Sequence, residues 1–134
     1  MNEHPLWWHE IALAPDPESA SAARQFVHEQ LGAHDLSHLA EDIALVASEL
    51  ATNVIMHALT PFTVRLSAFP DAVILAVVDG SVLEPVLLNA QAHDVSGRGI
   101  AIVDVVSRDW GVVVTAGVGK SVWASFGLDG RPRR

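Results

Sequence analysis

At 134 residues, half of them apolar and with a formal net charge of −8, the chain can build one hydrophobic core, is short for two, and is too apolar to be disordered. The acidity argues against duplex DNA or an anionic membrane as the main partner, because both reward clustered Lys and Arg. The absence of cysteine excludes disulfides and thiolate metal sites.

Other absences narrow the class further. The seven histidines do not pair at helical ligand spacing with a second carboxylate motif. No basic-then-apolar leader opens the chain, and no apolar run reaches the roughly eighteen residues of a membrane span. The expectation is one cytoplasmic, soluble domain over 1–134, with its core at about 7–128. The basic cluster Arg131-Pro132-Arg133-Arg134 falls in a short tail over 129–134.

In chain order, Trp7 to Leu13 has β-prone bulk and alternation, and predicts a strand. Pro15-Asp16-Pro17 breaks it. Asp16 or Ser19 then caps a helix to about Leu31, with Ala22, Ala23, Phe26, Val27 and Leu31 inward and Gly32 ending it. A second helix follows a cap at Asp35 or Ser37. Its Leu36, Leu39, Ile43, Val46, Leu50 and Val54 recur at spacings of three and four, an apolar stripe that needs a sheet or helix to cover it.

Pro61 closes that region. Phe62 to Phe69 alternates as a strand, Pro70-Asp71 turns, and Ala72 to Val78 is a buried apolar strand completing a hairpin. Gly80 to Ser96 sustains no period and reads as a loop, of a length that usually serves as a functional lid. Gly99 to Val106 predicts a helix with Ile100, Val103 and Val106 inward. Two strands, Asp109 to Thr115 and Ser121 to Leu128, close the chain around a Gly117-Val118-Gly119-Lys120 turn. Hairpins make the sheet mixed but largely antiparallel, and the helices must collect on one face: an α/β two-layer sandwich.

Gly119-Lys120-Ser121 invites a P-loop reading, which fails twice. Val114 stands where the pattern needs its first glycine, and Val122, Ala124 and Phe126 alternate as a strand where a helix should begin. The helix around Asn53 is more specific. Glu49, Asn53 and His57 stand four apart and form a polar stripe beside the apolar one. An amide oxygen at Asn53 is a hard ligand suited to Mg²⁺, and a carboxylate one turn earlier is placed to act as a base. The bland alternative is a polar helix edge facing water. Asp79 ends a buried strand, where a carboxylate must find donors; the exocyclic amine of adenine is one, and a plain turn before Gly80 is the alternative. Gly97-Arg98-Gly99, before an apolar-faced helix, supplies backbone amides, a positive dipole end and a cation, all suited to phosphate oxygens.

These features, in this order, resemble the GHKL ATP-binding superfamily, and within it the small anti-sigma-factor serine/threonine kinase-like proteins of actinobacterial type. Glu49-Leu50-Ala51-Thr52-Asn53, with His57-Ala58 after it, resembles the N box. Val78-Asp79-Gly80-Ser81 resembles the first glycine box. Gly97 to Val103, followed by Trp110-Gly111, resembles the second, and Gly119 to Ala124 the final strand motif.

The resemblance implies a Bergerat, or histidine-kinase-like ATPase, fold with ATP and Mg²⁺ between the second helix and the lid. Glu49 would be the general base and Asn53 the metal ligand. Asp79 would accept from adenine, with Gly80 and Ser81 of its box beside the cofactor. Gly97, Arg98 and Gly99 would hold the phosphates and Ser121 would support the adenine side, while His57 buttresses the helix end. The implied function is an ATP-dependent protein kinase that engages a sigma factor and phosphorylates an anti-anti-sigma partner; a homodimer is left open. The alternative is a non-catalytic module that sequesters a regulatory protein. It draws on Ser81, which stands where the family has glycine, and on the absence of Lys and Arg between Val82 and Ser96.

Overall fold

Strand and helix periods sort this chain into two layers. A computed structural model describes residues 4–80 and 95–131, the side chains of 95–100 excepted. Most of the expected lid, Ser81 included, and the end of the basic tail lie outside the described residues.

The elements are β1 (Trp7–Leu13), α1 (Glu18–Ala33), a 3₁₀ turn (Ser37–Leu39), α2 (Ala40–Asn53), a π turn (Val54–Ala58), β2 (Phe62–Phe69), β3 (Ala72–Asp79), α3 (Val95–Val106), β4 (Asp109–Thr115) and β5 (Gly119–Gly127). The strands line up as β1-β2-β3-β5-β4, and every pairing among them is antiparallel. The expected sandwich is therefore present.

Side chains on a strand alternate between faces, and here one face is covered across β2, β3 and β5. Val64, Leu66, Val73, Leu75, Val77, Val122, Ala124 and Phe126 are buried on it. Above them lie Ala23, Phe26, Val27 and Leu31 of α1, and Ile43, Val46, Ala47 and Leu50 of α2. The α2 stripe expected from spacing is buried from Leu39 to Val54, while Leu36 packs at its margin. On the opposite face Arg65 lies over the Trp8 ring, 4.2 Å from its centre. That contact lets the guanidinium cover the apolar ring, with its Nε buried and without a hydrogen-bond partner.

Three local expectations are corrected. Neither Asp16 nor Ser19 caps α1: Pro17 occupies the N-cap position, and Ser19 Oγ instead donates to the Ala14 carbonyl at 2.6 Å. Proline already holds a helical φ, so the helix starts without a side-chain cap. Likewise α2 is entered through the 3₁₀ turn with Leu39 at the N-cap, and no side chain caps it. Third, α3 begins at Val95, ahead of the expected Gly99. Gly97 and Gly99 therefore lie inside the helix despite their poor helix propensity.

The end of α2 departs from regular helix. The Leu59 N–H donates to the Val54 carbonyl at 2.9 Å, an i to i−5 step that closes the π turn. The wider turn rotates later residues off the α-helical stripe. His57 consequently faces solvent rather than continuing the line of Glu49 and Asn53. Leu59 ends the turn with φ 59° and is 69% exposed. A left-handed conformation strains a residue with a Cβ. Leu59→Gly is expected to raise stability by about 1 kcal/mol, read as a higher urea midpoint; a lower midpoint would mean that the Leu59 side chain packs usefully.

Candidate functional site

The C-terminal end of α2 and the neighbouring ends of β3 and β5 border a small open pocket. Its walls are Leu50 and Val54 from the helix side, and Val77 and Val122 from the sheet. Three polar side chains converge within these walls: Asn53, Asp79 and Lys120. An apolar cavity with a few placed polar groups is the usual make-up of a small-molecule site.

Asn53 is the last residue of α2 and is buried, and its Nδ2 has no hydrogen-bond partner. A buried amide without a partner costs about 1–3 kcal/mol, so a bound group that engages it recovers that cost. Rotating the carboxamide exchanges its nitrogen and oxygen, so Asn53 can offer either a donor or a metal-binding oxygen. Glu49, one turn earlier, is half-buried on the same helix edge and outside the pocket walls.

Asp79 is the last residue of β3 and is 3% exposed. The Lys120 ammonium lies 3.6 Å from its Oδ2. The strands explain this meeting: Lys120 is directly opposite Asp79 in the β3–β5 register, and opposed residues project from the same face. Just beyond, the Gly80 N–H donates to Thr60 Oγ at 3.1 Å, which ties the end of β3 to the segment leaving the π turn. Gly119 completes the corner. Its φ is +152°, and a Cβ there would overlap the Asp79 carbonyl oxygen. Only glycine lets β5 approach β3 this closely.

The sequence-derived residues divide as follows. Asn53 and Asp79 share the pocket. Ser121 does not: strand alternation places it on the other sheet face, between Val78 and Val113, while Lys120 and Val122 line the pocket. Gly97, Arg98 and Gly99 lie in the opening turns of α3, which packs on α2. Only the first four amides of a helix lack an intrahelical partner, so a helix that begins at Val95 leaves the Gly97 amide available but commits that of Gly99, which was expected to precede the helix. Ser81 lies outside the described residues. The sequence places Lys120 in the turn before a strand that starts at Ser121, but β5 starts at Gly119, so Lys120 alternates with Val122, Ala124 and Phe126 and joins the inner face.

Among the described residues no three His, Asp or Glu side chains gather as a metal cage, and no helix is long and apolar enough to cross a membrane. The family model for the histidine kinase-like ATPase domain matches residues 13–126. That span runs from the last residue of β1 into β5 and includes the whole pocket. No curated protein matches the chain.

Proposed function

This chain belongs to the histidine kinase-like ATPase domain family, and we propose that it is an ATP-dependent serine/threonine protein kinase of the anti-sigma type, acting on an anti-anti-sigma partner. The observation that carries the proposal is Asn53: a buried, unpartnered amide in a pocket shared with a buried carboxylate, one helical turn from Glu49. Family membership supports ATP as the ligand, and the donor set fits it. Asp79 is an acceptor for the adenine amine. Asn53 offers an oxygen to Mg²⁺, an ion that takes few protein ligands and completes its shell from phosphate and water. The amide of Gly97, with Arg98, suits the phosphates.

Bound Mg-ATP supplies the phosphoryl group and part of the charge neutralisation. The chain's own contribution is positional. Glu49 takes the proton of the incoming serine hydroxyl, the first amides of α3 stabilise negative charge, and the apolar pocket walls exclude water from the adenine ring. Incubating the full chain with labelled Mg-ATP and candidate anti-anti-sigma domains tests the proposal. Label on a partner serine supports the kinase; ATP binding with no transfer to any partner favours the sequestering module.

Asn53→Ala separates a ligand-binding amide from a structural one. Removing an unpartnered buried group is expected to leave stability within about 1 kcal/mol of wild type, because the relieved desolvation offsets the small cavity. Mg-ATP affinity is expected to fall about tenfold or more. Calorimetric titration with and without Mg²⁺ reads the second effect, and an unchanged Mg²⁺ dependence would remove Asn53 from the metal.

A further inference from the structure

Lys120 belongs to the motif that fails as a P-loop, and nothing in the proposed phosphoryl transfer uses it. Its burial nevertheless calls for a reason. The side chain is only 9% exposed, whereas lysine ammonium groups are rarely buried without a partner. Two constraints place it there: the register that sets it opposite Asp79, and the glycine at 119 that brings β5 against the Asp79 carbonyl. Around the pair stand Val77 and Val122, whose side chains offer no hydrogen bonds, and Asn53 is the other polar side chain of the pocket. The separation of 3.6 Å exceeds that of a direct N–H···O bond. The ammonium carries three protons, so the pairing leaves donor capacity directed at the pocket.

We infer that Lys120 is a second base-reading residue, donating to the ring nitrogen N1 of adenine while Asp79 accepts from the N6 amine. The inference rests on the ATP reading above and deepens it. Adenine presents a donor at position 6 and an acceptor at position 1, and the Asp79–Lys120 pair presents the complementary acceptor and donor side by side. Guanine presents the reverse, so in the same pose its O6 faces the carboxylate and its N1–H faces the ammonium. A site of buried, charged hydrogen-bonding groups rejects such a mismatch strongly, because both partners are left unsatisfied.

The test is calorimetric titration of the full chain with Mg-ATP and with Mg-1-deaza-ATP, in which a C–H replaces N1. Wild-type protein is expected to bind the deaza nucleotide about 10- to 100-fold more weakly, the range of a hydrogen bond to a charged group. Lys120→Met keeps the apolar stem, so it is expected to bind both nucleotides at the weaker level and to lose the discrimination. Should K120M not fold, as judged by circular dichroism, Lys120→Gln makes the same comparison with a neutral, weaker donor and is expected to narrow the gap. Equal wild-type affinity for the two nucleotides, or a gap that persists undiminished without the lysine, overturns the role of Lys120 and leaves the ATP reading standing. Wild-type protein that binds neither nucleotide overturns the ATP reading itself, and this inference with it.

Discussion

Glu49→Gln is expected to lower phosphoryl transfer to the partner serine by about 10²–10⁴, the usual contribution of a general base, with Mg-ATP affinity close to wild type. The argument is positional. Glu49 shares a helix edge with Asn53, one turn away, but is half-buried and outside the pocket walls, so it is not expected to hold the nucleotide. Glutamine preserves size and polarity and removes only the capacity to take a proton, so the fold has little reason to change. Single-turnover transfer measured beside calorimetric titration separates the two effects. Full transfer by the variant would move the base elsewhere; parallel loss of binding and transfer would make Glu49 part of the nucleotide site.

Gly119→Ala is expected to cost about 2–4 kcal/mol of stability through steric overlap and an unfavourable φ, and to weaken Mg-ATP binding as well. The added Cβ meets the carbonyl oxygen of Asp79, a backbone atom that cannot swing aside. Relief requires β5 to retreat from β3, and that movement carries Lys120 away from Asp79. Gly117→Ala is the control: its φ is +76°, but nothing lies within 4 Å of the added atom, so only the backbone cost of about 1–2 kcal/mol applies. Urea unfolding of both variants should rank them in that order. Equal midpoints would show that the strand end shifts at little cost.

Much of the fold was legible in the residues because it depends on local periods. Alternation located β1 and β2, a continuous apolar run located β3, and the three-and-four spacing from Leu39 to Val54 located the buried face of α2. Hairpin connections implied an antiparallel sheet. Asn53 and Asp79 were legible for a related reason: each is a polar residue at the end of a buried element, where a group must find a partner or carry the cost of desolvation. Misses occurred where one residue of register matters. The family resemblance puts Ser121 on the adenine side, yet a one-position step along a strand reverses the face, and the pocket position belongs to Lys120. His57 was aligned with Glu49 and Asn53 by counting in fours, and the π turn after Asn53 breaks that count.

The sequence by itself determined the two-layer class, the core and the burial of two polar residues that line the pocket, since hydrophobic periodicity and burial costs act on neighbours along the chain. Tertiary structure decided what those members meet. Asp79 and Lys120 are distant in sequence, and only the insertion of β5 between β3 and β4 brings them to 3.6 Å. The physical reason is that strand order and register are set by the packing of the whole sheet against α1 and α2. A charge pair across two strands forms only once that packing has selected one register.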